Sequence, residues 1–419
     1  MPINTEYTGS TYPSALAPPK MRDQRWRSVA FSLVWMMTMC IPWGDMILLP
    51  FEVQASRVLS VSTAVVWVIL LWRSRKAKPL RAAHWFLLLF VAWAAINVLW
   101  TPEAERGLRR ATSYLQLFFV AWVIHQSCDR ESNYLQLLQA YICGCLAGVA
   151  GLLWNFSREV HTGDWRYTAP GFDPNDLAVT LALAIPMAWH LELKGCGLRW
   201  INRLFVPAAV ICVLLTASRA GLVTLGICLT FVLATVARFS RRSLVRLVLI
   251  GGLTSVVVTY MWSEASVHRL STIFEQLSTR DMNGRVDIWQ RGYSAFLESP
   301  LVGHGAGGFG AAVGTRRSRE LAAHNAYLGV LVEHGLIGLV LFAGAFCAVF
   351  ARALKSYATE PRLWVVLLLA WGVAVMSLSW ENRETTWLLF GLGAALPRKP
   401  RAVRWLIPVI KPRYGTAYA

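Results

Sequence analysis

Charge is scarce in this chain: only 15% of its 419 residues are Asp, Glu, Lys or Arg, while 56% are hydrophobic. A soluble domain of that size carries more charge and fewer apolar stretches. Acids are scarcer still, 23 against 41 basic residues, and a net charge of +18 would suit a nucleic-acid binder. The distribution excludes nucleic acid as a partner. The basic residues are scattered through short segments between apolar runs, which is what the positive-inside rule produces. Paired metal ligands are missing too. There is no Asp-x-Asp and no His-x-x-x-His, so neither a catalytic metal nor another cofactor is expected. The eight Cys lie mostly in apolar runs or in segments read as cytoplasmic (Cys143, Cys145, Cys212, Cys228 and Cys347 among them), which implies no disulfide framework. The run Gly303-His304-Gly305-Ala306-Gly307-Gly308-Phe309-Gly310 lacks the Gly-Lys-Ser/Thr ending of a P-loop and reads as a flexible, tightly turning backbone. No cleavable signal is visible; the first thirty residues are polar and then basic, like a cytoplasmic tail.

What is present in quantity is apolar sequence. Twelve candidate membrane spans recur, at 28–46, 55–72, 83–100, 110–127, 134–154, 175–192, 202–217, 219–237, 244–262, 324–350, 363–380 and 385–397, the last of them short. Twenty Trp suit the membrane–water interface. The expected fold is therefore an all-α, polytopic integral membrane bundle. Residues 1–27 form a cytoplasmic tail, 28–397 the membrane domain with an outer loop at 263–323, and 398–419 a second cytoplasmic tail. Orientation follows from charge: with both termini inside, all seven Lys fall on the cytoplasmic side, and the outer segments carry Arg balanced by acids. A loop of some sixty residues is long enough to be functional. Within it Val286, Trp289, Tyr293, Phe296 and Leu297 recur at helical spacing. Asn283 is placed to cap that helix and Glu298-Ser299-Pro300 to end it, which predicts an amphipathic helix on the outer surface.

Three groups of residues could carry chemistry. His324-Asn325 opens the tenth span, with Gly335 eleven residues on, close to three helical turns, and Gly338 after it. Small residues there would let a neighbouring helix approach and hold the His-bearing helix rigidly. His324 is then either a general base near neutral pH or an interfacial histidine with one hydrogen bond. Arg219, at the boundary of the eighth span, either snorkels or holds a partner. Arg285 begins a helix, where a cation opposes the dipole and free N–H groups favour an anion. Two outer arginines would suit a pyrophosphate, since each guanidinium forks onto phosphoryl oxygens. In Phe172-Asp173-Pro174-Asn175-Asp176, Asp173 or Asn175 is most simply a helix cap.

These pieces together resemble the O-antigen ligase and O-antigen polymerase superfamily. The likeness is carried by His324-Asn325 with Gly335 and Gly338, Asp173-Pro174-Asn175, Ser218-Arg219-Ala220, Asn283-Gly284-Arg285 with Trp289, and Pro300-Leu301-Val302-Gly303-His304-Gly305-Ala306-Gly307. It spans about residues 170–390. The resemblance implies a bacterial inner-membrane enzyme whose site faces the periplasm, with 263–323 as a periplasmic loop. Its donor would be a glycan on undecaprenyl diphosphate and its acceptor a lipid- or glycan-borne hydroxyl, as in lipopolysaccharide assembly. His324 would be catalytic, Arg219 and Arg285 would bind the diphosphate, and Asn325, Gly335, Gly338 and Asn175 would support the site. A polysaccharide polymerase, a protein O-oligosaccharyltransferase or, outside enzymes, a polysaccharide transporter are the alternatives. The spans read as nearly free of mid-membrane ionisable residues, which favours an enzyme over a transporter.

Overall fold

The computed structural model describes residues 21–46, 48–49, 53–75, 77–162, 166–236, 252, 284–314, 321–356 and 361–396. The predicted span 244–262 (Gly252 apart), the cap Asn283, loop residues 263–283 and 315–320, and nearly all of both tails lie outside them. The described chain is helical: α1 Met21–Cys40, α2 Ala55–Ser74, α3 Ala82–Ile96, α4 Ala104–Ser127, α5 Glu131–Ser157, α6 Pro174–Lys194, α7 Arg199–Leu215, α8 Arg219–Val236, α9 Arg285–Glu298, α10 Phe309–Ala312, α11 Ala326–Leu354, α12 Pro361–Ala374 and α13 Glu384–Ala395. Besides turns and the short 3-10 stretches Ile41–Met46 and Asn97–Leu99, it holds a two-residue antiparallel pair, Leu48–Leu49 against Val53–Gln54, between α1 and α2. Among the described residues, six helices are long and apolar enough to cross a bilayer, namely α2, the α3 region to Leu99, α5, α6, α8 and α11. The protein is thus a multi-pass membrane protein.

The most enclosed span is α6. Asp173 caps it by accepting from the N–H groups of Asn175 and Asp176, Pro174 sits where no N–H is needed, and Gly195 ends it in the left-handed region (φ 65°). Alanines along α6 admit α7 and α8 closely; a Cβ on Gly221 of α8 would collide with Ala178. At only 12 residues α13 measures about 18 Å, well short of a bilayer core. It is buried within the bundle, and Gly391 abuts the Ala121 backbone of α4.

The two ends of the bundle differ chemically. At one, Lys78 and Arg27 meet Asp129 at 2.8 and 3.3 Å, and Lys194 meets Glu131 at 3.0 Å. The other end gathers Arg57, Arg110, Asp173, Asp176, Arg219, Arg285, His324 and Arg383 at helix starts or in the turns before them.

Two sequence expectations need correction here. The eleventh span does not run to 380: α12 stops at Ala374, and 375–383 is a turn. Its apolar residues Val375, Leu378 and Trp380 are buried in the core, which is why hydropathy carried the span onward. The tenth span, moreover, is not one rigid helix. It is broken at Gly335 (φ 65°, ψ −167°), so Gly335 is a hinge point in the backbone rather than part of a smooth packing stripe below His324.

Candidate active site

The break at Gly335 is filled by the glycine-rich segment. Val332 and Glu333 carbonyls, which in an unbroken helix would accept from Leu336 and Ile337, accept instead from the N–H groups of His304 and Gly305. Leu336 and Ile337 donate in turn to the Pro300 and Leu301 carbonyls at 2.8 and 3.3 Å. The exchange re-pairs four backbone groups that the break would otherwise leave unsatisfied. It also requires two glycines in close apposition: a Cβ on Gly303 would lie 2.5 Å from the Gly335 nitrogen. Trp100 and Thr101 donate to the Gly303 and Ala306 carbonyls. Residues 300–307 are therefore pinned, contrary to the flexible turn expected from composition. Gly338 admits Trp93, whose indole N–H donates to the His334 carbonyl at 2.9 Å.

Helix α9 packs its Ala295, Ile288 and Phe296 side against Phe309, Val332 and Leu328, so its apolar face meets the bundle. Tyr293 and Leu297 stay exposed. Trp289 donates to the Ala323 carbonyl at 2.9 Å and ties the helix to the stretch before His324. Gly284, in the left-handed region (φ 73°), precedes Arg285 and makes no side-chain cap.

His324 stands outside α11, with Asn325 as the helix cap accepting from the Leu328 N–H at 3.1 Å. Its N–H donates to Ser379 Oγ at 3.1 Å. Arg285 Nη1 donates to the Ser377 carbonyl at 3.0 Å. The 375–379 turn therefore carries both residues. Arg285 lies within electrostatic reach of Asp173 and Arg219, and His324 within reach of Arg285, Asp173 and Asp176. Burial lowers the His324 pKa first and the Arg285 charge lowers it further, while the two aspartates pull the other way. Burial lowers the Arg285 pKa too, with Asp173 opposing and Arg219 adding to the effect.

Asn175 links the remaining pieces. Its Oδ1 accepts from Arg166 at 2.7 Å and from Ser218 Oγ at 2.8 Å, and Ser218 Oγ accepts from the Gly221 N–H at 3.1 Å. Ser218 is therefore the cap that sets Arg219 at the head of α8. Ala217 and His324 both hold φ 47°, a left-handed conformation costing side-chain-bearing residues about 1–3 kcal/mol each. The strain falls beside Arg219 and on His324 itself. Asp173, Asn175, Arg219, Arg285, His324 and Asn325 thus share one end of the bundle, and His324, Arg219, Arg285 and Asp173 form one electrostatic cluster.

Arg110, Glu333, Glu381 and Arg383, also at this end, were not singled out from sequence. Asp176 accepts from Trp380 at 2.8 Å and pairs with Arg383 at 2.6 Å. Arg110 of α4 reaches the buried carboxyls of Glu333 at 3.6 Å and Glu381 at 3.4 Å. Burial, against the pull of Arg110, pushes Glu381 up to about 7. The signal was there: Glu333 is a lone acid in the apolar stretch Gly329–Gly338, and such a residue needs a partner. The spans are accordingly less free of ionisable groups than the sequence suggested. Among the described residues, no group of three His, Cys, Asp or Glu side chains converges as metal ligands.

Residues 204–343 match the O-antigen ligase family, a stretch that contains Arg219, Arg285, His324, Gly335 and Gly338. The exopolysaccharide production protein ExoQ of Rhizobium meliloti (strain 1021) is 25% identical over 321 residues, covering 69% of this chain and 69% of the relative.

Proposed function

We propose that the chain is a member of the O-antigen ligase and polymerase superfamily and that it moves a glycan from undecaprenyl diphosphate to an acceptor hydroxyl at the periplasmic face of the inner membrane. The observation that carries this reading is the convergence of His324, Arg219 and Arg285, from three separated stretches of sequence, in one electrostatic cluster. Neutral His324 takes the proton of the acceptor hydroxyl as its oxygen attacks the anomeric carbon. The bond from that carbon to the diphosphate oxygen breaks, and Arg219 and Arg285 stabilise the charge that grows on the departing lipid diphosphate. Attack opposite the leaving group inverts the anomeric centre. Asp173 and Asp176 are engaged as a cap and as the partner of Arg383, so the two arginines supply the positive charge that other enzymes draw from a metal.

The acceptor in the first reading is the sugar of a lipid A-core or a similar surface glycan, as for a ligase. A second reading, polymerisation of repeat units, is favoured by the likeness to a protein of exopolysaccharide production. Purified protein in lipid vesicles, given lipid-diphosphate-linked glycan and acceptor extracted from the same cells, should form a new glycosidic bond. NMR of the product should show inverted anomeric configuration. Retention, or no product with either acceptor class, contradicts the proposal.

A further inference from the structure

Two adjoining cavities open at the arginine-bearing end, of about 1040 and 660 Å³, and share Arg57, Arg110, Ser113, Ala322, Ser379 and Asn382 in their walls. Pockets for single small ligands measure about 300–1,000 Å³, so the joined space suits something longer than one sugar unit. The smaller cavity reaches Asp173, beside the His324 and Arg285 cluster. The larger runs from Ser379 to Phe309 and Arg106. Arg219, Arg285 and His324 line neither, while Ser379, which accepts the His324 N–H, lines both.

The walls argue against a second diphosphate. Arg106 is paired with Glu103 at 2.9 Å and Arg109 with Glu105 at 2.5 Å, and Arg110 is shared by Glu333 and Glu381. Buried carboxyls would repel phosphate, whereas an alternation of Arg, Glu, Ser and Asn suits hydroxyls, which both donate and accept. Glu381 stands out. It is 4% exposed, lines the larger cavity, and its Oε2 has no hydrogen-bond partner. A buried carboxyl oxygen left so is costly unless something supplies a donor.

We propose that this joined space holds the acceptor glycan, with the Glu381 carboxyl and the Arg110 guanidinium gripping sugar hydroxyls so that another hydroxyl faces His324 past Ser379. The proposal rests on the glycosyl-transfer reading above. Near pH 7 a carboxyl with the raised pKa of Glu381 both donates and accepts, which matches a hydroxyl partner.

The test measures acceptor KM, kcat and donor-lipid binding separately. Acceptor oligosaccharides come from mild acid treatment of the host's own surface polysaccharide, and undecaprenyl diphosphate binding is read by native mass spectrometry. Glu381→Ala should raise acceptor KM about tenfold or more, the loss of a hydrogen bond to a charged group. Glu381→Gln should recover most of that loss, with lipid diphosphate binding unchanged in both. Should Glu381→Ala not fold, Ser113→Trp, which fills the shared wall, should raise acceptor KM in the same way. An unchanged acceptor KM in the folded variants, or an equal loss of lipid diphosphate binding, overturns the acceptor site. Absence of transfer by the unaltered protein would instead defeat the glycosyl-transfer reading itself.

Discussion

Burial and the Arg285 charge both hold the His324 imidazole below its ordinary value of 6.5, against the two aspartates, so the ring is neutral at physiological pH. A general base must be unprotonated to act, so activity should decline as pH falls, with a midpoint below that of an ordinary histidine. His324→Ala should reduce transfer about 100-fold to 10,000-fold with undecaprenyl diphosphate binding intact. Activity equal to that of the unaltered protein would remove His324 from the mechanism. His334 is unsuitable as a comparison histidine. It is fully buried, bonded to Asn97 at 2.9 Å and packed edge-on against Phe90 and Tyr114, so its loss would leave a cavity in the core. For the arginines the comparison is with lysine, a point charge that cannot fork onto two phosphoryl oxygens. Arg219→Lys and Arg285→Lys should each weaken undecaprenyl diphosphate binding, measured by native mass spectrometry. Binding as tight as in the unaltered protein would mean that either residue needs only its charge.

At the scale of elements, the splice between residues 300–305 and the broken α11 holds α9, and with it Arg285, against the helix that follows His324. Gly335 occupies a backbone region essentially reserved for glycine, and a Cβ there would run into the Leu301 carbonyl. Gly335→Ala should therefore lower the melting temperature of the purified protein and abolish transfer. A variant as stable and active as the original would show that the break is dispensable. How much of this was legible in sequence depends on the range of the interaction. Apolar runs located most of the described helices, and local capping rules narrowed the α6 cap to Asp173 or Asn175, because such bonds span two or three residues. The cap at Asn325 was not read from sequence. The break was not legible, since the spacing from His324 to Gly335 fits an unbroken helix equally well. What breaks it is a segment some thirty residues earlier. The 375–379 turn and the link from Arg110 to Glu333 and Glu381 were missed for the same reason: their bonds span 55 to 271 residues, and neighbours in sequence do not report them.

Across the whole molecule, the two ends carry different chemistry. Lys78 and Lys194 sit in ion pairs at one end, and His324, Arg219 and Arg285 lie at the other. The proposed use of a lipid-linked glycan outside the cytoplasm requires the second end to face outward, which is the orientation expected from the positive-inside rule. The most direct measurement places single Cys probes at Glu105 and Lys355, both exposed and at opposite ends, in a protein lacking its eight native Cys. Loss of the Glu105 pair with Arg109 is a surface change of small cost. In intact spheroplasts an impermeant thiol reagent should label Glu105→Cys and spare Lys355→Cys until the membrane is opened. Labelling of Lys355→Cys with Glu105→Cys protected would put the site in the cytoplasm and contradict transfer from an outward-facing lipid-linked donor.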